Sequence, residues 1–113
     1  MKQDDKVELI NYLAFLHNKM TRLSIRLFVQ GEDTTEIDKA RNRLNKEIDK
    51  LRTDIAKQWR GRAENVMGDL RKLNNRAQTI IRDLDQAADK AQKVTKVLSL
   101  FDKGLNLVKG LIV

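Results

Sequence analysis

Apolar residues recur along this chain with the spacing of packed helices. Leu9, Leu13, Leu16, Met20, Leu23 and Leu27 alternate at spacings of four and three, which makes them one helical seam. Asp5 can cap the start of that helix, with Glu8 three residues on as the reciprocal half of a capping box. Ile10, Tyr12, Phe28 and Val29 widen the stripe, so the helix is expected to meet more than one neighbour. It should end near Gln30, with Gly31 taking the left-handed cap conformation.

Asp33 and Glu36 repeat the capping pattern after a short polar connection, and short connections make antiparallel neighbours. Ile37, Ala40, Leu44, Ile48, Leu51, Ile55 and Trp59 then predict a second helix, from about Thr34 to Trp59. Next comes Gln58-Trp59-Arg60-Gly61-Arg62-Ala63, with the only Trp and a Gly two residues later. A bulky ring beside a residue free to adopt positive φ suits a tight corner between helices. After it, Ala63, Val66, Leu70, Leu73, Ala77, Ile80 and Leu84 hold the helical spacing. Ala87, Ala91, Val94, Leu98, Phe101, Leu105, Val108 and Ile112 continue it to the end. An unbroken helix from Thr34 to Ile112 is the alternative.

These elements predict an all-α domain over residues 1–113. It has an extra helix at about 5–29 and an antiparallel hairpin at about 34–112, three long helices with coiled-coil-like heptads, and it is expected to be oligomeric because of its helix lengths. At 1.5 Å per residue the first two helices reach roughly 37 Å and a third, from Arg62 to about Lys103, roughly 60 Å. The seam from Ala87 onward then needs other cover: a fourth-helix fold-back, a second copy or a different partner. A partner is favoured, with Ala87, Ala91, Val94, Leu98, Phe101, Leu105 and Val108 as its interface.

Composition agrees with helices. The 113 residues include no Pro, five Gly and 35% charged side chains. No Cys is present, which excludes disulfides and thiolate metal sites. No apolar run reaches the roughly 20 residues of a membrane span. The polar start, Met1-Lys2-Gln3-Asp4-Asp5-Lys6, lacks a secretory leader, so synthesis in the cytoplasm is expected, with any export proceeding without a cleaved signal.

The net charge of +7 is uneven, and its largest share follows the corner, where six cations face only Glu64 and Asp69. Arg60, Arg62, Arg71, Lys72 and Arg76 form a candidate anion patch. Trp59 is the only aromatic near them, so a mixed-charge helical surface is favoured over a nucleic-acid site. The end of the chain, Leu105 to Val113, carries one Lys and continues a seam, which favours packing over lying on a membrane surface.

Catalytic chemistry finds little footing. His17 is the only His, and no phosphate-binding Gly-rich loop or metalloprotease motif occurs. Asp83, Asp85 and Asp89 read as a solvated face among Lys90, Lys93 and Lys96 rather than as metal ligands. No enzyme activity, cofactor or metal is expected.

Gln58-Trp59-Arg60-Gly61-Arg62-Ala63, flanked by Leu44, Ile48, Leu51 and Ile55 before it and the Ala63–Leu84 seam after it, resembles the Trp-x-Gly corner of the WXG family of type VII secretion. The similarity covers about Thr34 to Phe101. It implies a non-enzymatic helical hairpin that pairs as a homodimer or heterodimer, exported folded, alone or as an adaptor for a larger toxin. Trp59 and Gly61 would form the corner and engage the secretion machinery. The family's C-terminal Tyr-x-x-x-Asp/Glu signal is absent; Leu98-x-x-x-Asp102 stands nearest to its place, and Phe28-x-x-x-Glu32 is a looser match. The competing expectations are a generic helical oligomerisation module and a basic protein that binds nucleic acid or anionic membrane.

Overall fold

The computed structural model describes residues 1–84 and 89–112. Four α-helices are present among them: α1 (Gln3–Val29), α2 (Thr35–Thr53), α3 (Ala63–Arg82) and α4 (Lys90–Lys109). A 3-10 turn, Asp54–Ala56, extends α2.

The first connection forms as its residues require. Gly31 sits at φ +76°, Glu32 N–H donates to Leu27 O at 2.9 Å and Gly31 N–H to Phe28 O at 3.0 Å. These two bonds satisfy carbonyls that the end of α1 leaves orphaned. Asp33 accepts the backbone N–H of Thr35 at 2.9 Å and so helps to start α2. The start of α1 differs from expectation. It begins at Gln3 with no side-chain cap, and Asp4 and Asp5 lie in the first turn, where their charge favours the helix dipole.

α1 and α2 run antiparallel, as do α3 and α4. α1 and α3 run parallel, with Tyr12 bonded to Arg71 and Lys19 to Gln78 along their shared side. α2 and α4 also run parallel, joined by the Arg43–Asp102 and Glu47–Lys109 ion pairs. α1 lies against all three other helices, while α2 and α3 scarcely meet.

This arrangement corrects two expectations. The helices joined by the corner do not pair as a hairpin, because α1 occupies the apolar face of both. Nor is there a 60 Å third helix: α3 stops at Arg82, α4 runs back along it, and the longest dimension of the molecule is 44 Å. Burial explains the return. It places Val97, Leu100, Phe101, Leu105 and Val108 in the same core as Leu9, Leu13, Leu16, Leu70 and Leu73. The fold-back also rotates the seam. Val97 is buried where Leu98 was expected to be, and Leu98 is half-buried. Gly104 allows the close approach, since a Cβ there would stand 2.9 Å from Leu16 Cδ1 and 3.4 Å from Leu70 Cδ2.

α2 also ends earlier than its pattern implies. The 3-10 turn and the extended segment after it take the chain across the base of the bundle to α3.

Candidate functional site

Three surfaces are candidates for function: the Trp59 corner, the groove between α3 and α4, and the outward face of α1.

The corner is a closed knot. Trp59 is 1% exposed. Its Nε1–H donates to Asp54 O at 3.1 Å, which closes the last turn after α2. Lys6 reaches in from α1 and donates to Ile55 O at 3.0 Å and Lys57 O at 2.7 Å, with its ammonium 5.8 Å from the indole centroid. That is a cation over an aromatic face with two of its three protons also bonded. The Met1 amino group donates to Trp59 O at 3.2 Å. Trp59 also pairs with Ile112 in an isolated antiparallel bridge, and Arg60 N–H donates to Leu111 O at 2.7 Å. Gly61 holds φ +85°, the left-handed turn expected of it, with Leu111 packed 3.6 Å from where a Cβ would lie. An indole this enclosed makes the corner a structural junction.

The structure disperses the candidate anion patch. The Arg60 guanidinium donates to Gly110 O at the C-terminus of α4, where positive charge is favoured. Arg62 is exposed just ahead of α3. Arg71 turns toward α1, its Nε–H donating to the Tyr12 hydroxyl at 2.9 Å. Lys72 and Arg76 remain, and α4 brings Lys93, Lys96 and Lys103 to meet them across a groove. The sequence pattern missed these three lysines because it favoured a partner over the fold-back that delivers them.

The expected partner seam also divides. Phe101, Leu105 and Val108 lie in the chain's own core. Ala91, Val94 and Leu98 line an open cleft of about 400 Å³ beside Leu27 and the start of α2. Ala87 and Asp85 fall outside the described residues.

The outward face of α1 is the largest apolar exposure among the described residues. Phe28 is 75% and Val29 79% exposed, and Ile25, Phe15 and Val7 also face water. Ile25, Phe28 and Val29 stand at i, i+3 and i+4 and form one continuous patch. Phe15 packs edge-to-face on Tyr12, ring centroids 6.1 Å apart. Asp4 and Glu8 are exposed toward one end of this face and Arg22 lies toward the other.

Two titratable groups with shifted pKa, His17 and Asp38, lie at helix contacts. Partial burial, then the nearby Arg41 charge, lowers His17 below 6.5. The Ser24 hydroxyl is the largest influence holding Asp38 below 3.8, with further help from Thr34 and Arg41. Among the described residues no cluster of three His, Asp or Glu side chains could hold a metal ion. No helix among them is long and apolar enough to cross a membrane.

Comparison with known protein families, characterised proteins and solved structures finds no match to this chain.

Proposed function

We propose that the protein is a non-enzymatic interaction module that holds a helical protein partner along the outward face of α1. The observation that carries this is the exposed patch of Ile25, Phe28 and Val29 on a helix whose opposite face already fills the core. Large apolar side chains grouped this way on a small bundle mark an association surface more readily than scattered ones do. A partner helix laid on this stripe would cover it.

The resemblance of the Trp59-x-Gly61 corner to WXG proteins extends the proposal. On that resemblance the partner is another WXG-like chain or the helical head of a toxin, and the pair is exported. Because Trp59 is enclosed, its replacement would confound folding with recognition. Arg62→Glu, on the exposed side of the corner, is the cleaner probe of export.

The deciding experiment is a tagged pull-down from the native cell, nuclease-treated and salt-washed, with mass spectrometry and absolute mass of the complex. Recovery of a helical protein with the unaltered chain, and its loss with Ile25→Ser/Phe28→Ser/Val29→Ser, is the expected result. A defined homo-oligomer lost in the same variant would identify the partner as a second copy. Recovery unchanged by the triple variant would overturn the proposal.

A further inference from the structure

The basic groove between α3 and α4 lies on different helices from the α1 patch and is independent of it. Two adjoining cavities, about 590 and 500 Å³, share Arg76 and Lys103 in their linings. The apolar part of those linings is Leu73 and Leu100, both buried, with the half-buried Ile80 and Leu107. Around it stand Lys72 and Arg76 from α3 and Lys93, Lys96 and Lys103 from α4, with Asp69 as the one carboxylate among the described lining residues.

The cations of α2 are mostly neutralised. Lys39, Arg41, Arg43 and Arg52 each pair with a carboxylate within the chain. Among the described residues none of the five groove cations does. Five cations without an ion pair therefore stand along one groove.

The occupant can be narrowed by chemistry. Lysine and arginine alone would suit any polyanion, but nucleic-acid grooves add stacking aromatics, and the apolar side chains among the described lining residues are all aliphatic, beside the polar Asn75, Thr79, Ser99 and Asn106. An aliphatic floor gains free energy only by covering apolar surface. From Lys93 to Leu107 the groove follows roughly 21 Å of α4, about four helical turns. Apolar floor, cationic rim and helical length together match the groove that receives the apolar face of an amphipathic helix.

The geometry points to an acidic amphipathic helix of a partner protein as the ligand of this groove. Its apolar face lies on Leu73, Ile80, Leu100 and Leu107. Its carboxylates meet Lys72, Arg76, Lys96 and Lys103, which steer the encounter and set its orientation.

The test uses the full chain and a labelled peptide of about 15 residues, the length of four turns. Leucines stand at i, i+3, i+4 and i+7 and glutamates on the flanks. A scrambled peptide of the same composition and an oligothymidylate serve as comparisons. Anisotropy should show saturable binding of the patterned peptide that weakens as salt rises. The scramble and Lys96→Glu/Lys103→Glu should each lose about tenfold or more in affinity. Both lysines are exposed, so the variant should keep the helical circular dichroism of the parent. If it does not, amide chemical-shift changes in the unaltered protein carry the test, and they should fall on α3 and α4. Absence of binding at low salt, equal binding of the scramble, shifts confined to other helices, or tighter binding of the oligothymidylate would each overturn the assignment. The last would reassign the groove to a phosphate backbone.

Discussion

Trp59 combines a large buried ring, a bonded indole N–H and a backbone tied to two distant segments. Removing such a ring costs its transfer energy and leaves a cavity, so Trp59→Ala should destabilise the fold by about 3–5 kcal/mol. Urea unfolding followed by circular dichroism would measure it; a loss within experimental error would mean that the corner is not a structural junction. Two glycines give a paired prediction at the same scale. Gly68 lies inside α3 with nothing within 4 Å of where a Cβ would stand, so Gly68→Ala should stabilise by about 0.5–1 kcal/mol. Gly61 sits at φ +85°, so Gly61→Ala should destabilise by about 1 kcal/mol or more even though a Cβ would find room. His17 supplies the pH dependence. Its folded pKa lies below the ordinary 6.5, so the unfolded chain binds the proton more readily. The associated stability is complete above about pH 6.5 and declines as pH falls through the folded pKa. His17→Gln should flatten the melting temperature across that window. Gly61 and Trp59 were legible as a corner because their residue types are unusual in a helical sequence. The ties of Lys6, Met1 and Ile112 to that corner were not, since each spans dozens of positions without a local pattern.

At the scale of elements, the seam positions of α1 emerge buried as their spacing implies: Leu9, Leu13, Leu16, Met20, Leu23 and Leu27 all lie in the core. The break between α3 and α4 was hidden for a physical reason. A helix that folds back still needs an apolar stripe on each arm, and the stretch from Asp83 to Asp89 carries neither Pro nor Gly while Leu84 and Ala87 keep the spacing. Alternation at three and four therefore passed through it. The phase of α4 was set by Gly104, whose missing side chain turns that edge of the helix toward Leu16, Leu70 and Leu73. Filling the contact should push α4 away, and Gly104→Leu should cost about 1–3 kcal/mol by overpacking. Lys103→Leu, at the exposed neighbouring position, should be near neutral by the same measurement. Equal effects at the two positions would contradict the close approach.

At the scale of the whole molecule, the base of the bundle is where distant parts of the chain are joined. Arg60 N–H donates to Leu111 O and its guanidinium to Gly110 O, Trp59 pairs with Ile112, and Leu111 packs beside Gly61. α4 thus returns to the corner that begins α3, and α1 reaches the same point through Lys6. Leu111 and Ile112, both half-buried, pack against the core at this base. This arrangement has a built-in reporter, because the only Trp in the sequence sits inside it. A chain ending at Gly110 loses the bridge and the Leu111 cover while keeping every core residue of α4. Each lost backbone bond is worth about 0.5–1.5 kcal/mol net, so such a chain should remain folded but melt lower. Its Trp59 emission should shift to the red and become accessible to acrylamide, with far-UV circular dichroism nearly unchanged. Unaltered emission would show that the indole is shielded by α1 and the 3-10 turn alone. Loss of all helicity would show that the base, rather than the apolar core, holds the four helices together.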